Sequence, residues 1–203
     1  MNLIKKLQSK FDDKREIIDL NTFNDPLVFS IDWIPLSGGS FNTHRIKKEG
    51  GFTKKRLMLR ATLASYIFYL IFTVINILVI FGSRHNFSFY TFIPLTLSIL
   101  GCYFIRDLKK YDIIFDKNLG TYKKNKKDYL ISEIHAIQLI REYVRTANSS
   151  YYSYQLNLVL HNSERIIVTE KDSLKIIRED AVKLAKFIDV PIWDIIDYRL
   201  TKL

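Results

Sequence analysis

Two uncharged apolar runs divide the chain, ATLASYIFYLIFTVINILVIFG over residues 61–82 and NFSFYTFIPLTLSILGCYFI over residues 86–105. At about 1.5 Å per residue the first extends roughly 33 Å as a helix, enough for a hydrocarbon core of ~30 Å. The second is interrupted by Pro94, which a membrane helix tolerates when neighbouring groups satisfy the freed carbonyl. The link Ser83-Arg84-His85 is short, so the two runs predict an antiparallel helical hairpin. Its polar interruptions, among them Thr73, Asn76, Thr91 and Thr96, are neutral, which disfavours a proton-coupled transporter or ion channel built from one hairpin. Small residues Ala61, Ala64, Ser65, Ser98 and Gly101 allow close helix contact.

Beyond the second run the pattern changes to period two. Tyr111 to Lys117 leads to a turn at Asn118-Leu119-Gly120, then to the basic strand TYKK, and then to YLISEI and HAIQLIREYVRT. In YSYQLNLVLHNSERIIVTE, residues 152–170, Tyr152, Tyr154, Leu156, Leu158 and Leu160 share one face while Ser153, Gln155 and Asn157 share the other, the alternation of a half-buried antiparallel strand. Asn162-Ser163 reverses the chain into RIIVT. Leu174, Ile177, Ala181, Leu184, Ala185 and Ile188 recur at helical spacing, with Asp172 or Ser173 as the cap and an end at Val190, before Pro191. Upstream, Pro26, Pro35 and Gly38-Gly39 mark residues 20–40 as loop-rich, and FNTHRIKK and FTKKRLMLR flank Glu49-Gly50-Gly51 as a hairpin entering the first apolar run. Two strands before the apolar hairpin and about five after it predict one seven-strand sheet, closed by the helix and interrupted by the hairpin. The first residues, MNLIKKLQSKF, place Ile4, Leu7 and Phe11 on one helical face and fit a membrane-surface helix, a short packing helix or a disordered segment equally.

Charge sharpens this picture. The 31 Lys and Arg against 21 Asp and Glu leave a formal net charge of +10, which favours an anionic neighbour. Much of it flanks the apolar runs, in Arg45, Lys47, Lys48, Lys54, Lys55, Arg56, Arg60, Arg106, Lys109 and Lys110, whereas the connecting link holds only Arg84. By the positive-inside rule this predicts a multi-pass protein of the bacterial inner membrane with both termini cytoplasmic. Lys54, Lys55, Arg56, Arg60, Arg106, Lys109 and Lys110 are the candidate contacts to anionic phospholipid, each worth about 1 kcal/mol near the surface. Lys123, Lys124, Lys126 and Lys127 beside Tyr122 and Tyr129 mix basic and aromatic residues as nucleic-acid sites do, but lipid is the nearer polyanion, and nucleic acid is not expected as a partner.

Candidate chemistry adds little. Cys102, the single cysteine, falls inside the second run and excludes an intrachain disulfide. His44, His85, His135 and His161 are scattered without metal-ligand spacing and read as surface or turn residues. Gly38-Gly39 reads as a turn rather than a phosphate cradle, and Asp112, Asp116, Glu133 and Glu142 as charges on exposed strand faces. No hydrolase elbow or phosphate-binding loop is present, and no catalytic residue, metal or cofactor is expected.

The order of basic hairpin, apolar hairpin, FDKNLG, ISEIHAIQLIREYVRT, YQLNLVLHNSERIIV and a closing helix ending in VPIWD resembles membrane-anchored bacterial proteins with a pleckstrin-homology-like (PH-like) domain. In layout it is also similar to the two-helix photosystem I assembly factors. The resemblance spans residues 40–195 and implies a binding fold with a non-enzymatic role. The expected fold class is therefore an α+β membrane protein: a two-helix transmembrane hairpin attached to, and by strand count inserted in, a cytoplasmic PH-like antiparallel β-domain closed by a C-terminal α-helix. Its expected divisions are an irregular segment 1–40, a β-hairpin 41–60, transmembrane helices 61–82 and 86–105, and the β-domain 107–203. The expected function is to bind or stabilise a protein partner, or a second copy of the chain, at the membrane. Immunity against a membrane-active toxin and sensing of anionic lipid are the alternatives.

Overall fold

The computed structural model describes residues 15–36, 44–49, 55–82, 92–108, 113–124, 127–145 and 149–200. The chain divides into two compact units. One comprises Met1–Ser40, Ile134–Ala185 and Asp189–Leu203, and the other Phe41–Glu133 with Lys186–Ile188.

The second unit is built on a five-stranded antiparallel sheet of β2 (His44–Lys48), β3 (Arg56–Ala61), β4 (Ile113–Asp116), β5 (Thr121–Lys124) and β6 (Lys127–Leu130), in that order. Helices α1 (Leu63–Gly82) and α2 (Phe92–Asp107) leave the sheet after β3 and return at β4, which pairs directly with β3, Leu57 opposite Phe115. Leu57, Leu59, Ile113, Phe115 and Tyr122 are buried, and Phe115, Tyr122 and Tyr129 stack in sequence across β4, β5 and β6 with ring centroids 5.4 and 4.8 Å apart. The β4–β5 turn follows from its residues: the Asp116 carboxylate accepts from the backbone N–H groups of Asn118 and Leu119, and Gly120 takes the left-handed conformation, φ 65°.

The helices depart from expectation. α1 is the one helix among the described residues long and apolar enough to cross a membrane. α2 is described over Phe92–Asp107, with Pro94 in its first described turn, where the missing N–H costs least. Its 16 residues reach roughly 24 Å, short of a hydrocarbon core. The expected two-helix transmembrane hairpin over residues 61–82 and 86–105 is therefore not shown among the described residues, where one helix has the length to cross and the second apolar helix is shorter; a charge-free run reports composition and not helix length.

The first unit contains a four-stranded sheet in the order β10 (Ile192–Asp194), β7 (Ile134–Arg145), β8 (Ser150–Leu160), β9 (Arg165–Lys171). Helix α3 (Leu174–Ile188) follows β9, burying Ile177, Ala181 and Leu184. It ends at Ile188, with Asp189 left-handed at φ 66°, rather than at Val190, and the side chain of Ser173 makes no capping bond. The C-terminal chain then adds two parallel pairings, β10 to β7 and β11 (Tyr198–Arg199) to β1 (Glu16–Ile17). The single antiparallel PH-like β-domain closed by a terminal helix is thus also corrected: there are two principal sheets in two units, one of them mixed, and strands follow the helix. A parallel neighbour for β7 could not be read locally, because β10 is three residues long and lies far along the chain from its partner.

Residues 19–36 carry short 3-10 turns, Leu20–Phe23 and Pro26–Phe29, capped by the carboxylates of Asp19 and Asp25. Their Val28 and Ile31 pack with Ala136, Val159 and Trp193, and the rings of Phe23, Trp33 and Trp193 lie 5.9–6.3 Å apart. The polar face of β8 is consequently not a solvent face: Ser153, Gln155 and Asn157 are all at most 1% exposed. Residues 1–14, the Gly38-Gly39 turn, the tip of the β2–β3 hairpin and the link between the helices lie outside the described residues.

Candidate functional site

The first place that carries chemistry is the polar strip beneath residues 32–36, which explains why the polar alternation of β8 faces inward. Asn157 donates through Nδ2 to Gln138 Oε1 and Gln155 Oε1 at 3.2 and 3.0 Å, and Gln155 Nε2 donates to Glu170 Oε1 at 2.7 Å. The strip then serves the irregular backbone above it: Leu36 N–H donates to Gln155 Oε1, Gln138 Nε2 to the Asp32 carbonyl and Arg165 to the Ile34 carbonyl, at 2.9–3.1 Å. These bonds take the place of a strand ladder in tying the largely exposed segment 32–36 to the buried strip. Nearby, burial and the charge of Glu170 push the Glu142 carboxyl above its ordinary range.

The apolar helical pair is the second place. Ser98 and Gly101 are buried at its seam, where a Cβ added to Gly101 would stand 2.3 Å from Thr73 Oγ1, and Tyr69 stacks on Phe104 at 5.4 Å. Ala64, grouped with them by sequence, is exposed. Thr73, Asn76, Thr96 and Ser98 each donate to a carbonyl one turn earlier in their own helix, so these polar side chains are satisfied internally. The outward surface is apolar: Leu63, Phe68, Leu78, Phe81 and Ile99 are each more than 60% exposed.

Of the basic residues expected to meet lipid, Lys55, Arg60 and Arg106 are exposed, while Lys54, Lys109 and Lys110 lie outside the described residues. Arg56 is engaged within its sheet, its Nε donating to Asp116 at 2.5 Å with Glu49 at 3.8 Å. The Arg56 hydrogen bond holds the Asp116 carboxyl below its usual range against the opposing effect of burial. Arg56, Arg60, Lys123, Glu49, Asp116 and Asp128 line a groove of about 530 Å³ on one sheet face, with Lys123 paired to Asp128 at 3.4 Å. Tyr122, read beside these lysines as a possible stacking residue, is instead buried in the aromatic stack.

The third place is one that sequence reasoning missed. His135 Nε2 meets Asp25 Oδ2 at 2.6 Å, and His135 Nδ1 meets His161 Nδ1 at 3.1 Å. Burial pushes the Asp25 carboxyl up, but the hydrogen bonds from His135 and the Leu27 N–H, with the charges of His135 and His161, outweigh it and hold the group low. Residues 25, 135 and 161 are too far apart for spacing to reveal the cluster. The reading of His161 as a turn residue agrees with its place; His44 instead is buried, with Nε2 2.8 Å from the Leu108 carbonyl, and His85 lies outside the described residues.

Toward the Arg145 end of β7 and the Ser150 end of β8, Tyr143 and Tyr152 face each other across the strands, centroids 5.3 Å apart, with the Arg141 guanidinium 4.2 Å above the Tyr152 ring. Both tyrosines are about half exposed. No family model matches the chain, and no curated protein matches it.

Proposed function

We propose that this is a non-enzymatic membrane-attached protein that binds an acidic protein partner beside the bilayer. The observation that carries the reading is α1: an uncharged helix whose apolar side chains point outward and whose polar side chains are satisfied within the helix suits a hydrocarbon surrounding. The exposed Arg60 and Arg106 near the helix ends favour the cytoplasmic side. The Tyr143–Tyr152 pair with Arg141 supports recognition, since exposed tyrosines and arginine supply large contact area at low entropic cost, and the net charge of +10 favours an acidic partner.

The test is one fractionation of native cells expressing the tagged full chain. Membranes are washed with alkaline carbonate to establish attachment, and a parallel unwashed sample is extracted in mild detergent for partner recovery. The reading expects retention in the washed membranes and a partner that is lost from the Tyr143→Ser/Tyr152→Ser variant. Release by carbonate overturns the membrane attachment; retention with no partner sensitive to the tyrosine pair overturns the recognition.

A further inference from the structure

We propose that His135 and His161 form a binding site for a divalent first-row transition-metal ion, taken through the Nδ1 atom of each ring. The backbone prepares this pairing. Ile134 pairs with Leu160 and Ala136 with Val159, so His135 is the extra residue of a β-bulge, a device that re-aims a side chain out of the strand's alternation. It turns His135 toward Asp25, toward Trp193 at 5.7 Å between ring centroids, and toward His161 in the turn after β8.

Asp25 supplies the orientation that metal-binding histidines characteristically have. One carboxylate oxygen accepts from the Leu27 N–H at 2.9 Å and the other meets His135 Nε2 at 2.6 Å. A carboxylate only accepts, so the proton sits on Nε2, and in the neutral ring Nδ1 carries the lone pair. That lone pair faces His161 Nδ1 at 3.1 Å with the ring planes inclined at 72°. Two imidazole nitrogens each about 2.0–2.1 Å from one ion stand about 2.9 Å apart at a right angle and about 3.3 Å apart at the tetrahedral angle, so the observed 3.1 Å accommodates an ion in place of the proton shared between the rings. On binding, His161 Nδ1 gives that proton up and His161 Nε2 takes one from solvent, so the ring stays neutral and Asp25 remains the orienting group of His135. His161 is exposed, giving the ion a path of entry. No cage of three or more His, Cys, Asp or Glu donors exists among the described residues, so water fills the remaining positions. Such an open nitrogen pair prefers Cu²⁺ over Zn²⁺.

The experiment titrates the metal-free full-length protein with Cu²⁺ and Zn²⁺ by calorimetry and records the electron paramagnetic resonance of the Cu²⁺ form. One saturable equivalent is expected, with coupling to two imidazole nitrogens. His161→Ala, in an exposed turn, is expected to lower affinity at least about tenfold and leave one nitrogen, and Asp25→Asn to lower it about 10–100-fold. His85→Ala is expected to change nothing. Circular dichroism of each metal-free variant separates loss of the site from loss of the fold. Absence of saturable binding, coupling to one nitrogen in the parent protein, or affinity unchanged by His161→Ala overturns the proposal.

Discussion

At the scale of single residues, Gly101 and Glu142 show opposite relations between a side chain and its surroundings. Gly101 has no room: an alanine there collides with Thr73 Oγ1, which is already held by the Tyr69 carbonyl. Gly101→Ala is expected to destabilise the α1–α2 pair by about 1–3 kcal/mol, as overpacking generally does, and Thr73→Ala introduced with it to recover most of the loss. Thermal unfolding of the four proteins in one detergent completes the cycle; no recovery in the double variant would place the conflict elsewhere. Glu142 instead has the wrong polarity for its surroundings. Its folded carboxyl is raised by burial and by Glu170, so the folded state favours the protonated form, and the benefit present below about pH 4.3 is lost as pH rises through the folded value. Glu142→Gln is therefore expected to raise the melting temperature at pH 7 by on the order of a few °C, with the gain shrinking as pH falls toward 4. Melting curves at pH 4 and 7 test this, and a gain equal at both would refute the electrostatic cause. Neither effect was legible in the sequence. Gly101 was recognisable as small but not as seated against Thr73, and Glu142 read as an exposed charge because alternation assigns faces without saying which face is covered.

At the scale of elements, α1 and α2 answer to different constraints. The apolar content of both is plain in the sequence, and so is the hairpin of β2 and β3, whose register runs from His44 opposite Ala61 to Lys48 opposite Leu57. The described span of α2 is Phe92–Asp107, with Pro94 in its first described turn, a position that its missing N–H and fixed φ suit. The decisive element for attachment is α1. Ile71 lies at mid-helix and is about half exposed, so Ile71→Arg places a charge at the centre of the apolar surface at a cost of about 2.5–3.5 kcal/mol for insertion. Carbonate washing of membranes should release most of this variant while retaining Ile71→Leu. Equal retention of both would mean that α1 is not the membrane element.

At the scale of the whole molecule, the order of the chain and the composition of its units do not coincide. The first unit joins residues 1–40 to residues beyond 133, so the loop-rich N-terminal stretch is not an appendage but the cover of a sheet. Removing residues 1–36 uncovers Ala136, Val159 and Trp193 and strands Gln138, Gln155 and Arg165 without the Asp32, Ile34 and Leu36 backbone groups they bind. This truncation is expected to unfold the first unit, read as loss of protease resistance in residues 134–200; resistance equal to that of the full chain would show the cover to be dispensable. Local pattern alone determined the two apolar runs, the β2–β3 hairpin, the β8–β9 reversal and the amphipathic stripe of α3, because each depends on neighbours within a few turns or one hairpin. Tertiary structure decided the division into two units, the parallel place of β10, the burial of Ser153, Gln155 and Asn157, and the meeting of Asp25, His135 and His161. Those features join residues more than twenty positions apart or depend on which surface another segment covers, and periodicity in a single chain specifies a face without specifying its partner.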